Sequence, residues 1–429
     1  MNISFKQLFQ VFGKIGLLSF GGPAGQIALM HRLLVDEKKW LGEEQFLRSL
    51  NFCMLLPGPE AHQLAVYAGW LLRGVSGGLL AGLLFLVPGV IVVFSLSALY
   101  FTFQDVPAAD AVLFGLKAAV LAIVIEALVR IGKKALTHAN KLLLAGAAFV
   151  AIFFLAVPFP LIVIGAGLLG ALGGAMNWPG FRPKVEKTAV KPKTEASAKG
   201  FIRTLLLGLL LWLGPLFALS FVAPEIFTEL SILFTKLAVV TFGGAYAVLA
   251  YLAQEAVGPG WLTAPEMIDG LGLAETTPGP LILVVDFVGY IAGARLGGMG
   301  SMIGGLVGTL VAVWATFVPS FLWIFLGAPW VERIKGGGIW DSALSGVTAA
   351  VTGVILNLAL WFGLHVLFLE VGTAEYSLFE FAAPVFSTIQ WPGVILFALA
   401  LVALLRFHVG VVPVILGSIV LGLAMNTVI

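Results

Sequence analysis

Twice in this chain, at Pro57-Gly58-Pro59 and at Pro278-Gly279-Pro280, a helix-breaking triplet interrupts an apolar run long enough to cross a membrane. Proline has no amide hydrogen and its ring collides with the preceding turn, so neither run is one regular helix. The first break lies between Phe46 and Leu72, the second between Met267 and Leu296. In hydrocarbon, unpaired backbone is tolerated only where it is buried in protein or lines a wet cavity. Paired breaks at corresponding places in two halves of a chain point to a transport site.

The composition is that of a membrane protein. Of 429 residues 60% are hydrophobic and 11% charged, with a mean hydropathy of +1.06, against about 45–50% apolar in a soluble domain. Roughly 20 apolar residues span a bilayer. The expected fold is an all-α polytopic membrane protein with about 13 membrane segments, at 9–30, 43–73 (broken), 76–104, 109–131, 140–157, 159–176, 201–222, 227–256, 264–295 (broken), 297–327, 340–366, 386–405 and 409–428. A net charge of +2 argues against nucleic acid as a partner, and the lysines and arginines cluster in loops as topology signals. Cys53 is the only cysteine, which excludes an internal disulfide and a thiolate metal cluster. The amino-terminal stretch, with Lys6 and Lys14 but no clear cleavage site, reads as a retained first helix.

The sequence also repeats itself. Lys14 matches Lys236, Ser19 matches Thr241, and Phe20-Gly21-Gly22 matches Phe242-Gly243-Gly244. Trp40 pairs with Trp261, then the two triplets, Gly69 with Gly289, Pro88 with Pro319, Asp110 with Asp341, and Gly115 with Gly346. Chance agreement is easy for Ala or Gly in apolar sequence, but not for Lys, Trp, Asp and the triplets in one order. The expected organisation is a first repeat over 1–176 with two extra helices, a basic cytoplasmic linker over 177–200, and a second repeat over 201–429. Charge sets orientation: helix 109–131 runs into Arg130, Lys133, Lys134 and Lys141, whereas its counterpart 340–366 begins after Arg333 and Lys335. Three helices between the copies invert the second, with the N-terminus inside and the C-terminus outside.

Lys14 and Lys236 are the leading ionisable candidates, two helical turns before their glycine pairs and on the same face. A lysine in a membrane helix faces a bundle interior or cavity, or else snorkels to the interface. Gly21, Gly22, Gly243 and Gly244 offer close backbone approach, with Pro23 a possible interruption in the first copy; they serve equally for helix packing. Ser19 and Thr241 are hydroxyl donors or bond back to their own helix. After each triplet a half-helix begins, whose free amides favour an anion. The first continues Glu60, Ala61, His62, Gln63, while the second follows Glu275, Thr276, Thr277. Glu60 in a first turn satisfies the dipole itself and, when ionised, repels an anion, which counts against a simple cradle there, yet Glu60 or His62 suits proton coupling as well as helix capping. Asp286 is a further coupling candidate. The five histidines lack metal-ligand spacing, and no nucleotide or phosphate-loop motif is present, so no enzyme constellation or cofactor site emerges.

The ordered set Phe20-Gly21-Gly22-Pro23, Trp40, Leu55-Leu56-Pro57-Gly58-Pro59, Gln63 and Gly69, followed by Phe242-Gly243-Gly244, Trp261 and Thr277-Pro278-Gly279-Pro280, resembles the chromate ion transporter family in its long, two-domain form. The resemblance spans nearly the whole chain. It implies chromate efflux from the bacterial cytoplasm, giving resistance, through an inner-membrane protein with oppositely oriented halves. Energetically, expelling a dianion from an inside-negative cell gains about 4.6 kcal/mol per 100 mV.

The expected function is therefore a secondary transporter of tetrahedral oxyanions, chromate first and sulfate second, working by alternating access. The substrate-binding set is Lys14, Ser19, Gly21, Gly22, Pro57, Gly58, Pro59, His62, Gln63, Lys236, Thr241, Gly243, Gly244, Thr277, Pro278, Gly279 and Pro280, with Glu60 and Asp286 for coupling. Proton-coupled sulfate uptake is the second reading, and a membrane-embedded enzyme or an assembly scaffold belongs to a different class. A homodimer is left open.

Overall fold

The computed structural model describes residues 3–20, 22–103, 106–181, 198–242, 245–333, 338–376 and 379–426. In chain order the helices are α1 (Phe5–Leu18), α2 (Gly22–His31), α3 (Glu43–Leu55), α4 (Glu60–Phe103), α5 (Pro107–Ala135), α6 (Ala139–Phe153), α7 (Phe159–Ala175), α8 (Ala198–Leu219), α9 (Glu225–Val240), α10 (Ala245–Val257), α11 (Ala264–Thr276), α12 (Val284–Leu296), α13 (Ser301–Gly327), α14 (Ile339–Leu367), α15 (Trp391–Leu405) and α16 (Val411–Asn426). A short antiparallel hairpin, β1 (Val371–Tyr376) and β2 (Phe379–Pro384), joins α14 to α15. Among the described residues, five helices are long and apolar enough to cross a bilayer, α4 and α13 among them. Leucine, valine and phenylalanine side chains stand exposed along α7, α8 and α16, as lipid-facing helices require. The chain is an all-α polytopic membrane protein.

Two expectations need amending. The run predicted as one helix over 227–256 is divided into α9 and α10, as 9–30 is divided into α1 and α2. Ser19 and Thr241 end α1 and α9; each hydroxyl donates to the carbonyl four residues back, Ile15 and Leu237 respectively. Second, residues 371–376 and 379–384 form paired antiparallel strands outside the expected helices. Most of the expected linker, 182–197, lies outside the described residues, as do Gly21, Gly243 and Gly244.

The described residues fall into two compact units, each drawn from both halves of the sequence. One comprises Met1–Phe101, Lys187–Ala245 and Leu273–Lys335. Here α4 is two arms folded on each other at Arg73 and Gly74, which leave helical geometry, Gly74 at φ +65°. A Cβ added at Gly69 would lie 2.3 Å from the Gly77 carbonyl oxygen. At the corresponding place α12 crosses α13, and a Cβ on Gly289 would lie 2.5 Å from the Gly308 carbonyl oxygen. Small residues permit these crossings because lipid supplies no hydrophobic drive between helices, leaving close packing to hold them.

Within the same unit α8 and α13 each contain a proline, and each repairs the defect in the other. Pro319 withholds an amide from the Ala315 carbonyl, and the Trp212 indole donates to that oxygen at 3.0 Å. Pro215 withholds one from Leu211, and the Trp314 indole donates there, also at 3.0 Å.

The second unit comprises Thr102–Glu186, Tyr246–Gly272 and Gly336–Ile429. Its centre is α14, against which α5, α6 and α7 pack. Small residues again set the spacing: a Cβ on Gly353 would meet the Ala145 carbonyl at 2.0 Å and one on Gly346 the Ala166 carbonyl at 2.3 Å. On α11, Asp269 is buried and paired with Lys117 of α5 at 3.2 Å.

Candidate functional site

Both Pro-Gly-Pro triplets lie in the first unit and take the same local form. After the first proline a glycine adopts left-handed backbone, Gly58 at φ +121° and Gly279 at φ +99°, which L side chains rarely tolerate. That conformation turns the glycine amide outward, away from its own helix. The Gly58 amide donates to the Thr241 carbonyl at 2.9 Å, and the Gly279 amide donates to the Ser19 carbonyl, also at 2.9 Å. The carbonyl at the end of α9 is thus capped by the first triplet, and that at the end of α1 by the second. Four helix ends are interlocked by two main-chain bonds running between the two halves of the sequence, which keeps buried backbone groups satisfied without water.

The side chains around the two glycines differ. At Gly58, an added Cβ would lie 2.8 Å from Gln63 Nε2 and 2.9 Å from Ser320 Oγ. Gln63 Nε2 donates to the Pro57 carbonyl at 2.8 Å, while Gln63 Oε1 is buried without a partner. Ser320 Oγ and, one turn earlier on α13, Thr316 Oγ1 are likewise buried and unpartnered. His62, fully buried, is edge-on to Phe317 and Phe321 with ring centroids 5.2 and 4.9 Å away. Its ring nitrogens complete no hydrogen bond, although the Gly82 backbone is close enough to act on them electrostatically.

Around Gly279 the neighbours are Leu283 and Gly89, the latter with its Cα 3.2 Å from the Cβ position. The Gly279 carbonyl accepts from Gln26 Nε2 at 2.6 Å, leaving Gln26 Oε1 unpartnered. Thr277 Oγ1 donates to the Ala274 carbonyl at 3.0 Å, and Pro280 precedes a short 3-10 turn, Leu281–Leu283. Farther along α12, Asp286 is fully buried; Thr309 donates to its Oδ1 at 2.7 Å and its Oδ2 has no partner.

Of the residues named from sequence, the structure gathers Ser19, Pro57, Gly58, Pro59, His62, Gln63, Thr241, Thr277, Pro278, Gly279 and Pro280 around the two interlocked breaks. Gly22 opens α2 at φ +72°. Glu60 opens α4, half-buried. Lys14 and Lys236 are exposed, on α1 and α9; Lys14 borders a recess of about 250 Å³ with Gln7, Gln10, Glu37, Lys38 and Trp40. Sequence reasoning missed Gln26, Thr309, Thr316 and Ser320. Ser320 carried a legible signal: it follows Pro319, which matches Pro88, and so stands where the first half has Gly89.

Residues 6–171 and 228–423 match the model of the family described as chromate transporter. The chain is 33% identical over 357 residues to a chromate transport protein of Pseudomonas aeruginosa, covering 82% of this chain and 80% of that one. It is 26% identical over 369 residues to an uncharacterized transporter of Methanocaldococcus jannaschii, covering 85% and 86%. A chromate transport protein of Cupriavidus metallidurans is 28% identical over 358 residues, covering 82% and 81%. No solved structure matches the chain. With both halves matched by the family model and most of its length aligned to such relatives, the chain belongs to the chromate transporter family.

Proposed function

We propose that this protein is a secondary transporter that exports chromate from the cytoplasm across the bacterial inner membrane by alternating access between two oppositely oriented repeats. The observation that carries the reading is the reciprocal bond between breaks, Gly58 to Thr241 and Gly279 to Ser19, beside buried polar groups that have no protein partner. Broken helices meeting in pairs, with unspent hydrogen-bonding capacity, are what a transporter places around its substrate. The relatives named as chromate transport proteins supply the substrate. Lys14 and Lys236, on the exposed faces of α1 and α9, supply positive charge that draws the dianion toward the protein. The membrane potential drives it outward, about 4.6 kcal/mol per 100 mV for two charges. The N-terminus and the 177–200 linker are cytoplasmic in this reading.

One observation favours a second reading, oxyanion uptake with protons. Asp286 is a buried carboxyl group with one free oxygen, the form a proton carrier takes in a transporter. Inverted membrane vesicles separate the two. Export predicts chromate accumulation in vesicles driven by an inside-positive potential and insensitive to a pH gradient. Accumulation that follows the pH gradient and is lost in Asp286→Asn supports proton coupling instead.

A further inference from the structure

The two breaks share a backbone but not a lining, and we propose that a single oxyanion site lies at the first break alone, with Ser320 and Gln63 as the groups that contact the anion. This rests on the transport reading above. At the second break the groups opposite Gly279 are apolar, Gly89 and the Leu283 methyl, and the Gly279 carbonyl is already occupied by Gln26. Opposite Gly58, at equally close range, stand an amide and a hydroxyl instead, Gln63 Nε2 and Ser320 Oγ, both within 3 Å of where a Cβ would lie.

Those groups also have unspent hydrogen-bonding capacity. Serine and threonine in membrane helices ordinarily return their hydroxyl to the carbonyl four residues back, and Ser97, Ser231 and Thr348 do so here. Ser320 and Thr316 do not, although both are buried. Their spacing, continued by Trp323 with a buried, unpartnered indole nitrogen, puts three unspent donors on one stripe of α13. Gln63 spends one amide hydrogen on Pro57 and keeps another. Unsatisfied buried donors are costly to a fold and are rare unless a ligand completes them. A tetrahedral dianion accepts several hydrogen bonds at once, and neutral donors hold it without the attraction that would prevent release. The aromatic rings of Phe317 and Phe321 with the His62 edge form an apolar collar beside the donors.

The fold itself provides the control, since the residues around Gly279 line the corresponding break with apolar groups. The full-length protein in inverted vesicles is assayed for chromate and sulfate accumulation. Ser320→Ala is expected to raise the chromate KM about tenfold, as for one lost hydrogen bond to a charged group, with little change in maximal rate and an altered chromate-to-sulfate KM ratio. Gln63→Leu with Ser320→Gly, copying the second break, should abolish saturable accumulation. Leu283→Gln should leave KM within about twofold, since no substrate contacts it. Unchanged KM values in Ser320→Ala, or an equal loss in Leu283→Gln, would overturn the one-sided site while wild-type accumulation persists. Absence of accumulation in the wild type would instead overturn the transport reading. If the double variant fails to insert, Ser320→Ala decides.

Discussion

Replacing Trp212 with phenylalanine tests whether the α8–α13 contact is a repair of proline defects. In the native protein Pro319 leaves the Ala315 carbonyl without its helical amide, and the Trp212 indole takes that place at 3.0 Å. Trp212 is 3% exposed, so no water replaces it. Phenylalanine keeps most of the ring and loses the donor, leaving a buried acceptor unsatisfied at about 1–3 kcal/mol. Interhelical hydrogen bonds in membranes average nearer 0.6 kcal/mol, which sets the lower end. Pro319→Ala restores a backbone amide four residues after Ala315, so in that background the same change should cost only packing against Trp323, whose ring lies 6.1 Å away. The two substitutions should therefore couple by about 0.6–3 kcal/mol. Reversible unfolding of the four proteins in mixed micelles, titrated with a denaturing detergent and followed by helix content, measures the cycle. Additivity within about 0.3 kcal/mol would refute the repair.

Gly58→Ala and Gly279→Ala should each destabilise by about 1–3 kcal/mol, from left-handed backbone and from crowding by Gln63 and Ser320 or by Leu283 and Gly89; the same micelle titration reads both, and neutral effects would remove the glycine requirement. Lys14→Ala and Lys236→Ala should each lower chromate tolerance in cells by slowing capture of the dianion while membrane insertion persists, and full export by the double mutant would remove their proposed role. Lys117→Met should destabilise by about 3–5 kcal/mol by depriving buried Asp269 of a cation, and pairing it with Asp269→Asn should recover part of that loss.

The opposite-half partners of the breaks explain how much was legible beforehand. Proline sterics and glycine's tolerance of positive φ act within a few residues, so the triplets at 57–59 and 278–280 could be read as breaks directly. Thr241 and Ser19 were named only as hydroxyls, whereas their carbonyls receive the glycine amides. The interruption at the end of α9 was not anticipated because nothing local to Thr241 forbids a helix; its carbonyl is turned out by a bond to Gly58, far away in sequence. The strands at 371–376 and 379–384 carry only short alternations, Thr373-Ala374-Glu375-Tyr376 and Phe379-Glu380-Phe381, too brief to mark a strand by themselves, and it is pairing with each other that holds them.

Apolar run length, duplicated motifs and helix-breaking triplets determined from sequence alone that this is a polytopic membrane protein with two broken-helix halves, because solvation and backbone sterics are properties of short stretches. Which amide meets which carbonyl, that Ser320 faces one glycine while Gly89 faces the other, and that Asp286 finds Thr309, were decided only by tertiary packing. Those partners lie tens to hundreds of residues apart, and a hydrogen bond forms only where packing brings its two ends within about 3 Å.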